Sequence, residues 1–295
     1  MYDIFEAAKE VLTDSMLVSA FDLHHENIAW FDEGIAEITF VDSGGYETSD
    51  HQELSSPYAY RAEAGAWDLD LYRKTLDRWP NHIPAVFVSY DAAAERLSMG
   101  EQVKRALEFT ERHPRQMHSF LAKPEPGADL IEVGPVLAQS IHLSRFHIVG
   151  VTEKEIGESF IRRMKTIASL RMAMDQQGLR RIPIHVFGSL DPMSVCLYFI
   201  AGAEIFDGLT WLRYAYARDT AMYRGNGAIL NEQFTQRDSR VRAWTMSQNI
   251  GQLEALRNRM RRFLNDRHYA VLQGDEDWLF RAKELLRAEF DGREI

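Results

Sequence analysis

The stretch Gly202-Ala-Glu-Ile-Phe-Asp207-Gly-Leu-Thr210 has the form of a short buried strand, Ala203 to Phe206, that ends on a carboxylate. Upstream, Ile182-Pro-Ile-His-Val-Phe-Gly188 is a second apolar run that stops at a glycine, and Asp191 to Ala201 between them has helix length. A strand–helix–strand unit of this kind joins two parallel strands and puts both C-terminal ends on one face. Two roles fit Asp207 there: chemistry at the mouth of an α/β fold, or a cap on the helix that follows.

Working outward, Ile35-Ala-Glu-Ile-Thr-Phe-Val41 is another β-branched run, and it leads straight into Asp42-Ser43-Gly44-Gly45-Tyr46. Paired glycines after a strand mark a tight loop where the backbone approaches something closely. Strands are expected at 36–41, 85–90, 133–138, 146–151, 182–187 and 203–206, with helices over 68–79, 95–113, 153–178, 249–266 and 275–290. Pro80 and Gly178 stop the first and third of those helices. Strands alternating with helices imply a parallel sheet, and this number of them fits an α/β (β/α)8 TIM barrel. An open doubly wound sheet is the runner-up, but no glycine-rich dinucleotide fingerprint follows the first strand. The barrel is expected over residues 1–245, with 246–295 as C-terminal helices packed on it.

Length and composition bound the function. The chain has 295 residues, 45% hydrophobic and 26% charged, as a globular protein with a sizeable core requires. No apolar run reaches the length of a membrane span and the opening residues lack a signal-peptide layout, so no membrane partner and a cytoplasmic location are expected. A single cysteine, Cys196, excludes an intrachain disulfide and a Cys-rich zinc site. The net charge of −10 is uneven: residues 1–70 carry sixteen acids against Lys9 and Arg61, a balance of −14 that leaves +4 for the rest. Residues 201–270 hold eleven arginines against seven acids, a distribution that a polyanion could meet.

The expected strand ends collect Asp42, Asp91, Gln139, Gly150, Gly188 and Asp207 at one mouth. Acid and amide edges suit a purine-like base with several donors, and two further acids suit nucleophilic and acid–base work at a sugar carbon. No His, Cys and Asp set has metal-ligand spacing. His24-His25 reads as surface decoration, and His142, His147 and His185 as core residues. Tyr46, beside the paired glycines, could stack on a base or fill the core.

These residues carry a resemblance. Asp42-Ser-Gly-Gly-Tyr resembles the D-S-G-G/S-F-Q signature of tRNA-guanine transglycosylases. His185-Val-Phe-Gly-Ser-Leu-Asp-Pro-Met, then Ile205-Phe-Asp-Gly and Tyr216-Ala-Arg-Asp219, are similar to the archaeosine-type pattern H-L-F-G-x-G-H-P … D-L-F-D-S … Y-A-R-D. The resemblance covers roughly residues 36–290 and implies a (β/α)8 barrel. It implies Asp207 as nucleophile, Asp42 as general acid/base, Asp91 and Gln139 as base readers, and Ser43, Gly44, Tyr46, Gly150 and Gly188 as base-pocket residues. Val149 stands where the family has the first glycine of a pair, and Tyr46-Glu47 where it has Phe-Gln.

Zinc in that family is held by three cysteines and by a histidine of an H-N-L segment. Here the cysteines are absent and the matching segment is Gln248-Asn-Ile250, so no metal and no cofactor are expected. In this the chain looks like the short Dpd-type relatives that insert 7-deazaguanine bases into DNA. The implied partners are DNA (or tRNA) and a 7-deazaguanine base, with a helper protein or a second copy of the chain also compatible. Arg213, Arg218 and Arg224 are candidates for the nucleic-acid backbone. Two other readings stay open: a tRNA enzyme without zinc, and a non-catalytic binding subunit.

Overall fold

A computed structural model describes residues 5, 8–9, 11–30, 34–45, 66–91, 95–273 and 277–292. The chain divides into two compact units, Met1–Val151 with Gln177–Pro183, and Thr152–Gln176 with Ile184–Ile295. Both are α/β, with parallel strands taken in chain order and separated by helices, a pattern compatible with a TIM-like fold.

Among the described residues the first unit holds five parallel strands: β1 (Ser15–Ser19), β2 (Ile38–Asp42), β3 (Ala85–Val88), β4 (Met117–Leu121) and β5 (Ile148–Thr152). Each pairs with the next, in a register that sets Ser19 beside Asp42, Val41 beside Phe87, Val88 beside Ser119 and Leu121 beside Gly150. Side chains alternate along a strand. Met16, Val18, Val41 and Phe87 therefore face one way, into a core completed by Tyr72, Leu76 and Phe109 from helices. Ser19, Asp42, Val88 and Ser119 face the other.

Helices that accompany these strands among the described residues include α1 (Ala20–His24), α2 (Leu69–Asp77), α3 (Met99–Arg112), α4 (Val133–Leu137) and α5 (Ser140–Leu143). α2 starts where Asp68 accepts from the Leu71 amide at 2.8 Å, and it buries Tyr72, Thr75 and Leu76, spaced about one turn apart. α3 buries Met99, Val103, Ala106 and Phe109. The Arg112 guanidinium at its end holds the Asp77 carboxyl below the usual carboxylate range, chiefly by hydrogen bonding.

In this unit two strands, β1 and β4, fall outside the expected set, and one expected strand is a helix. β1 has three apolar residues in five, Met16, Leu17 and Val18, a run too short to assign alone. β4 contains His118 and Ser119, yet both are buried, and His118 Nε2 lies 2.9 Å from the His113 carbonyl oxygen. Residues 133–138, expected as a strand, form α4 instead. Pro135 falls in its first turn, where a missing N–H costs nothing, and short apolar runs do not separate strand from helix. The pair His24-His25 is half-buried rather than superficial and packs around the Trp67 ring, with centroids 5.5 and 6.3 Å away.

The second unit opens with α6 (Phe160–Gln176) and then pairs β6 (Ile184–Phe187) in parallel with β7 (Ile205–Phe206) across α7 (Pro192–Ile200). Asp191 starts α7 by accepting from the Met193 and Ser194 amides, both at 3.0 Å, with Pro192 in the first position. After the short α8 (Thr210–Arg213) comes a hairpin, β8 (Ala215–Ala217) and β9 (Thr220–Met222). Its two loop residues, Arg218 and Asp219, both have positive φ (51° and 62°), the twist a two-residue hairpin loop favours. α9 (Arg224–Leu230), α10 (Asp238–Asp266), α11 (Ala270–Gln273) and α12 (Trp278–Ala288) complete the unit. Arg259 of α10 grips Asp219 through both guanidinium nitrogens, at 2.6 and 2.5 Å, and so ties the long helix to the hairpin loop.

Candidate active site

In the first unit, β2 delivers Asp42 at its C-terminal end, half-buried. The chain then turns through Ser43, Gly44 and Gly45. The Gly44 amide donates to Asp42 Oδ2 at 3.3 Å, and Trp67 Nε1 donates to the Ser43 carbonyl at 2.9 Å. Gly44 has φ +80°, and a Cβ there would stand 2.8 Å from both Phe21 Cβ and Trp67 Nε1. Glycine is thus required for the conformation and for the close approach. Gly44→Ala is expected to lower stability by roughly 2–3 kcal/mol, combining the left-handed penalty with overpacking. Urea denaturation followed by tryptophan fluorescence measures it; an unchanged midpoint would show that the loop relaxes freely.

The same loop reaches Asp91. A Cβ on Gly45 would fall 2.9 Å from Asp91 Oδ2, so the turn after Asp42 lies directly against the acid that follows β3. Asp91 Oδ2 is in turn 3.0 Å from Lys123 Nζ, just past β4, and Arg96 Nη1 lies 3.9 Å from Asp91 Oδ1. Ser43 is buried, and its Oγ has no hydrogen-bond partner among the described residues. Tyr46 lies outside the described residues.

Gln139 does not sit at a strand end. It links α4 to α5, and a Cβ on Gly100 would lie 3.7 Å from its Nε2, which places the amide beside the first turn of α3. The strand end that was expected to present it does not exist, because residues 133–137 coil. Gly150 is buried within β5, opposite Leu121, and the strand continues to Thr152. The side chain that the structure sets against Asp91 is Lys123, which hydrophobic patterning passes over because β4 is interrupted by His118 and Ser119.

In the second unit, Asp207 follows β7 directly. His185 Nε2 lies 3.1 Å from Asp207 Oδ1, and the Gly188 amide donates to the same oxygen at 3.3 Å. A carboxylate oxygen accepts, so Nε2 is the donor. Both contacts fall on Oδ1; Oδ2 has no hydrogen-bond partner among the described residues, and the side chain is 23% exposed. Helix-capping is therefore not the role of Asp207. α8 begins after Leu209 without a side-chain cap, while His185 and Gly188 orient the carboxylate. Gly188 has φ +82°, which turns the chain sharply as it leaves β6. His185 is 1% exposed and stacks on Phe187 with centroids 3.7 Å apart, so its ring is rigidly held. Sequence reading took His185 for core packing; its place in register with Ile205, two residues before Asp207, is the signal that links them.

The arginine candidates separate. Arg224 Nη2 donates to the carbonyls of Leu212 (2.7 Å) and Arg213 (3.5 Å) and braces the local backbone. Arg213 is half-buried, and Arg218 is exposed in the β8–β9 loop. Gln248-Asn-Ile250 supplies Asn249, fully buried, whose amide accepts from the Tyr216 N–H and donates to the carbonyls of Trp211 and Tyr214, each at 2.7 Å. Among the described residues no three His, Cys, Asp or Glu side chains converge as metal ligands do. Burial pushes the Cys196 thiol up to about 12, so it is an inert core residue. No helix of the described residues is long and apolar enough to cross a membrane. No protein-family model and no curated protein sequence matches the chain.

Proposed function

We propose that this protein is a transglycosylase that exchanges guanine for a 7-deazaguanine (preQ0-like) base in DNA through a covalent aspartyl–sugar intermediate. The closed eight-stranded barrel implied by the family resemblance belongs to the same proposal. The observation that carries the reading is the Asp207 carboxylate, with one oxygen anchored by His185 and Gly188 and the other unengaged among the described residues. A nucleophilic carboxylate needs both: a fixed orientation and an oxygen free to attack.

Asp207 Oδ2 attacks C1′ of the target nucleotide as the C1′–N9 bond breaks, and guanine leaves with its electron pair. Asp42 supplies the proton that the departing base takes up. The incoming base then attacks C1′ from the opposite side, Asp42 accepts its proton, and the ester bond to Asp207 breaks. Two displacements retain configuration at the sugar, as in retaining glycosidases. The exchange is isohydric and redox-neutral, so no cofactor enters the balance. Ser43 and Gly44 shape the loop beside Asp42. The target base must be flipped out or single-stranded to be reached. The exposed Arg218 is the candidate for phosphate contact, with Arg213 nearby in sequence, whereas Arg224 braces the local backbone.

Labelled guanine incubated with the protein and either plasmid DNA or tRNA tests the reading. Label is expected in DNA. Incorporation into tRNA alone would overturn the choice of polymer, since the 2′-hydroxyl separates the two substrates. Incorporation into neither would favour a non-catalytic binding subunit.

A further inference from the structure

The cavity beside Asp91 in the first unit is lined by Ser89, Tyr90, Asp91, Gln102, Leu121 and Lys123, among others. Its floor sets one acid, Asp91, between two cations, Lys123 at 3.0 Å and Arg96 at 3.9 Å. Asp91 and Lys123 side chains are 15% and 12% exposed, with Oδ2 and Nζ 3.0 Å apart. Both sit just beyond adjacent strands, and those strand ends are cross-tied. The Ser89 amide donates to the Ser119 carbonyl at 2.9 Å, and Ser89 Oγ accepts from the Leu121 amide at 2.9 Å. The Gln102 side chain then holds Lys123 by its backbone on both sides: Oε1 accepts from the Lys123 N–H and Nε2 donates to the Lys123 carbonyl, each at 3.0 Å. Nε2 also donates to the Leu97 carbonyl at 2.8 Å, which fixes the amide itself. The result is an acceptor and a donor placed side by side on a preorganised frame.

We infer that Lys123, paired with Asp91, is the specificity-determining residue that selects a 6-oxopurine or 6-oxo-7-deazapurine base by donating to its ring carbonyl. This rests on the transglycosylase reading and extends it to a residue outside the family's glutamine position. The edge of such a base presents a carbonyl next to an N–H and an exocyclic amine. Asp91, acceptor-only, takes the N–H groups; Lys123, donor-only and with three protons, keeps Asp91 and still reaches the carbonyl. A 6-amino base offers the reverse order, donor to Lys123 and acceptor to Asp91, and leaves both buried charges without a match.

Equilibrium dialysis of the full chain with labelled guanine, competed by unlabelled guanine, 2,6-diaminopurine or adenine, tests the assignment. The wild-type protein is expected to prefer guanine over 2,6-diaminopurine by roughly 10- to 100-fold, the range of one charge-assisted hydrogen bond. Lys123→Met should cut that preference by roughly 10-fold, leaving the part that Asp91 reads at the ring N–H, and Lys123→Arg should restore much of it. Equal competition by 2,6-diaminopurine in the wild type overturns the inference whether or not the variants fold, and so does a Lys123→Met protein whose preference is undiminished. Exchange into DNA is scored separately. A wild-type protein that exchanges base without preferring guanine over 2,6-diaminopurine removes the role of Lys123 alone; one that shows the preference without exchange removes the transglycosylase reading alone.

Discussion

Asp207→Asn is expected to abolish base exchange, by roughly 10⁴-fold or more, while leaving the fold in place. The asparagine carbonyl can still accept from His185 Nε2 and from the Gly188 amide, the two contacts that orient the native side chain. What it lacks is the second oxygen: an amide nitrogen in that position does not attack C1′. Stability should move by no more than about 1 kcal/mol, because no buried donor loses its acceptor. Two measurements separate chemistry from folding. The rate of guanine incorporation reports the first, and urea denaturation the second. Wild-type protein quenched with substrate in denaturant should also carry a nucleic-acid adduct that Asp207→Asn does not form. Exchange at the native rate by the variant would end the case for Asp207 as nucleophile.

The largest stability effect is expected at Asn249. Its amide joins three backbone groups, the Tyr216 N–H and the carbonyls of Trp211 and Tyr214, with all three distances at 2.7 Å and no exposure to solvent. Asn249→Ala leaves those groups buried and unmatched. At about 1–3 kcal/mol for each orphaned group, and allowing some relaxation, the cost is about 3–5 kcal/mol. Asn249→Asp should also be costly, because a carboxylate cannot donate to either carbonyl. Urea denaturation of both variants checks this; a loss below about 1 kcal/mol would show that water satisfies the freed groups. The asparagine therefore ties α10 to the segment that follows Asp207.

Much of this was legible in the chain itself. Apolar runs closing on Asp42 and Asp207, the glycines after each, and helices framed by Asp68, Ser98 and Asp191 are local signals: an alternating or one-face pattern, a cap, a turn residue. Such signals determined the α/β character, most of the elements and two of the acids. They did not determine which side chains meet. β4 is a strand because β3 and β5 pair with it on both sides, and its buried His118 and Ser119 hide it from any hydrophobic count. Lys123 beside Asp91, and His185 beside Asp207, follow from strand register, a relation between residues 32 and 22 positions apart that no single stretch contains. Local free energies of a few tenths of a kcal/mol per residue select helix or strand. Only hydrogen-bonded pairing across the sheet settles the register, and with it the partners of each acid.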